Sequence, residues 1–82
     1  MSSRFEFCIY IAEDSIITMD YQPEVDKYGE EEHDTYDLYS ALIEEMRQFE
    51  NEKKDMVGEV LENGHIVSEV TYTASENDYN VL

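Results

Sequence analysis

From Arg4 to Ile11 the chain alternates apolar and polar residues. Phe5, Phe7, Ile9 and Ile11 fall on one side, and Arg4, Glu6, Cys8 and Tyr10 on the other. A period of two is the pattern of a strand with one buried face. Such a strand is not stable alone, so the rest of the chain must supply paired neighbours and a cover for the apolar side. Glu13, Asp14 and Ser15 form a polar break, after which Ile16 to Tyr21 reads as a second strand with Ile17, Met19 and Tyr21 on one face. The short connection predicts an antiparallel hairpin. Pro23, the sole proline, ends the second strand.

The next stretch is polar and acidic. Glu24, Asp26, Glu30, Glu31, Glu32 and Asp34 are relieved by Lys27 and His33, with Gly29 and Tyr28 among them. It reads as an exposed acidic loop over about residues 22–34. Asp34 is placed to cap a helix, and Asp37 follows near the positive end of its dipole. The helix is expected from Thr35 to Lys54, because Tyr39, Leu42, Ile43, Met46 and Phe49 recur at helical spacing as one apolar stripe. Lys53 and Lys54 suit its last turn.

Met56–Leu61 and His65–Thr73 read as two more strands, joined through Asn63-Gly64, the strongest two-residue hairpin signal. This turn is expected to pair Leu61 with Ile66 and Val57 with Val70 on one face, leaving Val60 and Val67 on the other. Both faces are apolar, so the pattern leaves open which one meets the helix. Ala74 to Leu82 is either a tail or a short edge strand. The expected architecture is α+β: a four-stranded antiparallel sheet with one helix packed on one face, in the order β-β-α-β-β, as a single domain spanning residues 1–82.

Twenty-one Asp and Glu against five Lys and Arg give a formal net charge of -16 over 82 residues. A domain this short buries only about 60% of its unfolded surface, and concentrated like charge works against compactness. Solubility asks for a net charge of magnitude only about 2–8 in a small domain, so the excess implies a role for the surface. The ten aromatic residues argue against a disordered acidic tail. Cys8 is the single cysteine, so no internal disulfide forms, which suits a reducing compartment such as bacterial cytoplasm. The N-terminal apolar run is broken by Glu6 and ends after Ala12, which does not fit a signal peptide. No run approaches the roughly 18 apolar residues of a membrane span, and an anionic leaflet would repel this surface.

Catalytic chemistry finds little support. No G-x-S-x-G or H-E-x-x-H pattern occurs, and a lone thiol in mid-strand is a packing residue. The acids around His33 lack the alternating order and sixth-position glycine of a calcium loop, and His33, His65 and Cys8 have no ligand spacing, so no metal or cofactor is expected. Direct binding of nucleic acid requires cations to neutralise phosphates, and five dispersed Lys and Arg form no basic stripe.

The remaining reading is imitation of a nucleic acid. Carboxylates on neighbouring helical turns, or alternating along a strand, lie roughly 5–7 Å apart, comparable to rows of phosphates. The expected partner-binding array comprises Glu24, Asp26, Tyr28, Glu30, Glu31, Glu32, Asp34, Tyr36, Asp37, Glu44, Glu45 and Glu52. Glu59, Glu62 and Glu69 on the second hairpin would add a further part. Tyr28 and Tyr36 flank the acidic loop, and exposed tyrosines are effective anchors in protein interfaces. Tyr36 packing at the helix start is the equal alternative.

In size, charge, isolated cysteine and acidic patches beside tyrosines, the chain resembles the small acidic inhibitors that phages and mobile elements encode against host defence. These include anti-restriction, anti-CRISPR and uracil-glycosylase inhibitor proteins. The resemblance covers the whole chain in composition and carries no residue-level motif. It implies a non-enzymatic, cytoplasmic inhibitor that blocks a basic nucleic-acid-binding host surface. Three other readings stand beside it: an acidic antitoxin or immunity protein neutralising a cationic toxin or nuclease, a homodimeric or regulatory module, and the general acidity of a saline cytoplasm. Fourteen Glu against seven Asp, with plentiful large apolar residues, weigh against the last.

Overall fold

The computed structural model describes residues 4–13, 15–22 and 35–82, the side chain of Thr35 excepted. Five antiparallel strands form one sheet: β1 Phe5–Ile11, β2 Ser15–Tyr21, β3 Met56–Glu62, β4 His65–Thr73 and β5 Asp78–Val81, in the spatial order β2-β1-β3-β4-β5. Helix α1, Thr35–Met46, connects β2 to β3 and packs against β3 and β4 on one face of this sheet.

The alternation of β1 is realised residue for residue. Phe5, Phe7, Ile9 and Ile11 are buried, while Glu6, Cys8 and Tyr10 face the other way. Pairing of Phe5 with Tyr21, Phe7 with Met19 and Ile9 with Ile17 puts the apolar side of β2 on the same face. Phe7 and Tyr21 stack with ring centroids 4.8 Å apart, a diagonal cross-strand contact that pins this register. Leu38, Leu42 and Met46 of α1 close the core over Met56, Val60, Val70 and Tyr72. A wholly buried Leu such as Leu42 contributes roughly 1.5–3 kcal/mol.

Gly58 sets how closely the helix approaches. A Cβ built there would lie 2.7 Å from Met46 Sδ and 3.0 Å from Leu42 Cδ2. The residue is a glycine because α1 rests on its backbone, not because the chain turns there.

Several expectations need correction. The sheet has five strands, not four, because residues 78–81 pair with β4. Of the two alternatives for Ala74 to Leu82, the short edge strand is the one realised: Leu82 N donates to Glu69 O at 2.9 Å, and Tyr79 packs on Tyr72 with centroids 4.7 Å apart. The helix does not continue to Lys54. It tightens into a 3₁₀ segment, Arg47–Glu52, and stops at Lys53, which takes left-handed dihedrals and donates its N–H to Glu50 O at 3.0 Å. The buried stripe ends at Met46, so burial no longer favours α geometry beyond it. The stripe centres on Leu38, Leu42 and Met46, with Tyr39, Ile43 and Phe49 half-buried beside it.

The second hairpin turns at Asn63-Gly64, both with positive φ (52° and 87°), and pairs Leu61 with Ile66 as expected. Val57, however, pairs with Thr71, not Val70. The register shifts between Val60 and Leu61, leaving Val67 as the extra residue of a bulge. One added residue exchanges the faces of everything beyond it. Val60 and Val70 therefore enter the core together, and Val57 and Val67 are exposed.

Candidate acidic interface

Among the described residues, the sheet has one face under the helix and one face open. Reading across the open face from β2 to β4, Asp20, Glu6, Leu61 and Ile66 form one row. Thr18, Cys8, Glu59 and Glu69 form the next, and Ile16, Tyr10, Val57 and Thr71 the third. Four carboxylates thus cross four adjacent strands as a diagonal band: Asp20, Glu6, Glu59 and Glu69. Neighbouring strands are about 4.8 Å apart, so the band carries roughly one carboxylate per strand spacing.

Glu59 and Glu69 are direct cross-strand partners. Two like charges so placed oppose sheet pairing. The Tyr10 hydroxyl donates to Glu59, and this bond, followed by the charge of Glu59, holds the Tyr10 phenol above its ordinary pKa. Cys8 lies between Glu6 and Glu59. Desolvation, then the negative charge of Glu6 and of Glu59, raises its thiol above the ordinary value. The thiol is thereby kept neutral, which opposes a nucleophilic role. At the β2 end, Arg4 Nη2 lies 3.8 Å from Asp20 Oδ1, with both side chains largely exposed, a geometry of small energetic weight.

Apolar residues flank the band on both sides. Ile16 is 67% exposed and Val57 36% at one end; Ile66 is 53% and Val67 42% exposed at the other.

The expected partner-binding residues divide into three groups. Glu24, Asp26, Tyr28, Glu30, Glu31, Glu32 and Asp34 lie outside the described residues. Tyr36, Asp37, Glu44, Glu45 and Glu52 lie along the helical segment. Tyr36 is 63% exposed and also meets Tyr39 edge-to-face, with centroids 5.2 Å apart. Asp37 and Glu44 are exposed two helical turns apart, Glu45 is half-buried and accepts from Gln48 Nε2 at 2.5 Å, and Glu52 is exposed on the 3₁₀ segment. Of the hairpin acids, Glu59 and Glu69 share the open face, whereas Glu62 pairs with Phe5 and points to the helix side. Sequence reasoning left Glu6 and Asp20 out of the array. The signal was present in the alternation of β1, which already placed Glu6 opposite the buried phenylalanines.

A concavity of about 890 Å³ lies beyond the end of the 3₁₀ segment and is lined by Glu50, Lys53, Asp55, Tyr72 and Asn77 among others. Several of its polar groups are engaged in hydrogen bonds. Tyr72 Oη donates to Asn77 Oδ1 at 2.7 Å, Asp55 Oδ1 accepts from Ala74 N at 2.9 Å, and beside it Tyr79 Oη donates to Glu50 Oε1 at 2.7 Å. These bonds tie the β4–β5 turn to β4 and to Asp55 ahead of β3, and β5 to the 3₁₀ segment. Burial, then the bond to Glu50, raises the Tyr79 phenol above its ordinary pKa.

Among the described residues, no three His, Cys, Asp or Glu side chains converge in a metal-holding group, and no helix is long and apolar enough to cross a membrane. No family model matches the chain, and neither a curated protein nor a solved structure matches it.

Proposed function

We propose that this protein is a non-enzymatic acidic inhibitor that binds the basic nucleic-acid-binding surface of a host protein and blocks access of DNA or RNA to it. Its composition suits the anti-CRISPR and anti-restriction inhibitors of phages. The observation that carries the reading is the Glu59–Glu69 pair, two carboxylates facing each other across adjacent strands with Glu6 and Asp20 in the neighbouring row. A sheet that keeps like charges in direct register concentrates negative charge on one face at positions set by the backbone.

The spacing favours imitation of a single phosphate row. One strand of B-DNA places a charge about every 3.4 Å of axis. Within each row the carboxylates stand about 4.8 Å apart, and the diagonal step from Glu6 to Glu59 is about 7–8 Å, a lower density on a rigid support. Complementary charge of this kind accelerates encounter and selects cationic partners.

The test is affinity capture. The protein, immobilised and exposed to bacterial lysate, is washed with a salt gradient in the presence and absence of duplex DNA. The expected result is a nucleic-acid-binding protein that elutes at raised salt and is displaced by DNA. Recovery of no cationic protein would refute the proposal. The exposed apolar residues beside the band favour one second reading: an acidic antitoxin or immunity protein that caps a cationic toxin or nuclease. That reading expects a captured toxin that DNA does not displace.

A further inference from the structure

We infer that the open face of the sheet, rather than the outer side of the helix, is the docking surface, and that its occupant is a protein segment presenting Arg or Lys between apolar side chains. The inference rests on the proposed function and locates it. Three observations carry it.

First, the face is mixed in an ordered way. A band of carboxylates runs through its middle, and exposed aliphatic side chains lie on either side: Ile16 and Val57 towards one end, Ile66 and Val67 towards the other. Scattered single apolar residues on a surface need no explanation, but apolar residues grouped around a common centre mark an interaction surface. Among the described residues, helix α1 offers one exposed large side chain of this kind, Tyr36 beside Asp37. The exposed acids on the helix side, Asp37, Glu44 and Glu52, neighbour Ser40, Gln48 and Asn51 in sequence and along the turns.

Second, charge decides the occupant. A second copy of the chain brings a further net charge of -16. The segment 23–34 carries six acids against one lysine, so it too is repelled by the band. Nucleic acid and anionic lipid are excluded on the same ground. A cationic partner alone gains from Glu6, Glu59 and Glu69, and a partner with apolar residues between its cations also covers the flanking Ile and Val.

Third, the face is preorganised. Tyr10 holds Glu59 by a hydrogen bond, and the band lies on paired strands rather than on a loop. Little ordering is left to do on binding, which favours affinity.

The test uses the full chain, isotopically labelled, with two short amphipathic peptides as probes. One carries Arg and Leu; in the other, Ser replaces every Leu and the charge is unchanged. The Arg/Leu peptide is expected to bind at least about tenfold more tightly than the Arg/Ser peptide. It should shift the amides of Glu6, Cys8, Glu59 and Glu69, and it should shield Cys8 from a thiol reagent. Two double variants of equal charge then separate the faces. Glu59→Gln with Glu69→Gln should weaken the Arg/Leu peptide about tenfold or more while leaving the fold at least as stable. Glu44→Gln with Glu52→Gln should change binding less than about threefold. Amide shifts confined to α1, or equal weakening by both double variants, would overturn the inference while leaving a general polyanion reading intact. Failure of both peptides to bind at low salt would overturn both.

Discussion

Replacing Glu69 by Gln should stabilise this protein, which is the reverse of what most substitutions do. Glu69 stands directly opposite Glu59 in the β3–β4 ladder. Side chains so paired have Cβ atoms about 4.5–5.5 Å apart. At about 5.5 Å two unit charges in a water-like dielectric repel by about 0.75 kcal/mol. Both side chains are half-buried, with access to solvent, so the water-like value applies and splaying of the carboxylates lowers it to about 0.5 kcal/mol. A domain of this size gains about 4–8 °C in melting temperature per kcal/mol, so Glu69→Gln should melt about 2–4 °C higher. The gain is electrostatic and must vanish with screening. The Debye length falls from about 30 Å at 0.01 M salt to about 3 Å at 1 M. Thermal melts of the wild type and Glu69→Gln at these two salt concentrations measure the difference. A variant that is less stable at low salt, or a gain that persists undiminished at high salt, would refute the argument that the pair is held against its own repulsion.

Gly58→Ala should destabilise by about 1–2 kcal/mol, because the added methyl meets Met46 and Leu42 in a closed core; urea unfolding gives the value, and a neutral result would mean that the helix does not rest there. Lys53→Gly should stabilise by about 0.5–1 kcal/mol in the same assay, since Lys53 has φ 55° and ψ 42°, a conformation glycine adopts without penalty. Tyr79→Phe should cost about 1 kcal/mol by losing the bond to Glu50. It should also flatten the alkaline limb of the stability profile. The folded-state pKa of the phenol is raised above its unfolded value, so its contribution is whole below about pH 10 and is lost as pH climbs towards the folded value. The thiolate absorbance of Cys8 should appear at higher pH than in a free thiol, and Glu59→Gln should move it down by removing one of the neighbouring charges.

Much of the fold is legible in the sequence because local pattern and tertiary demand agree. β1 alternates, and its alternate residues are the buried ones. Asn63-Gly64 asks for a tight hairpin, and the pair takes positive φ. The misassigned faces of the second hairpin have one origin. The bulge at Val67 exchanges the register, and no local residue preference announces it when both faces are apolar. Gly58 compounded this, since the residue over which the helix packs most closely has no side chain to register in a hydrophobic pattern. β5 reads Asp-Tyr-Asn-Val, too short and too polar to separate a strand from a tail; its pairing depends on Tyr72 and Glu69, distant in neither space nor register but invisible to a local window. The candidate interface was half visible. Glu59 and Glu69 stood out as acids on a predicted hairpin, but their meeting with Glu6 and Asp20 requires the β1–β3 pairing, which joins residues about fifty positions apart.

The salt dependence of binding to a captured partner shows whether fixed carboxylates are what that partner recognises. Purified target is titrated with wild-type protein and with the Glu59→Gln, Glu69→Gln variant from low to physiological salt and above. Wild-type affinity should fall steeply, by about tenfold or more, and the variant should bind more weakly with a shallower slope. An affinity indifferent to salt, or a slope unchanged when both carboxylates are removed, would contradict the account.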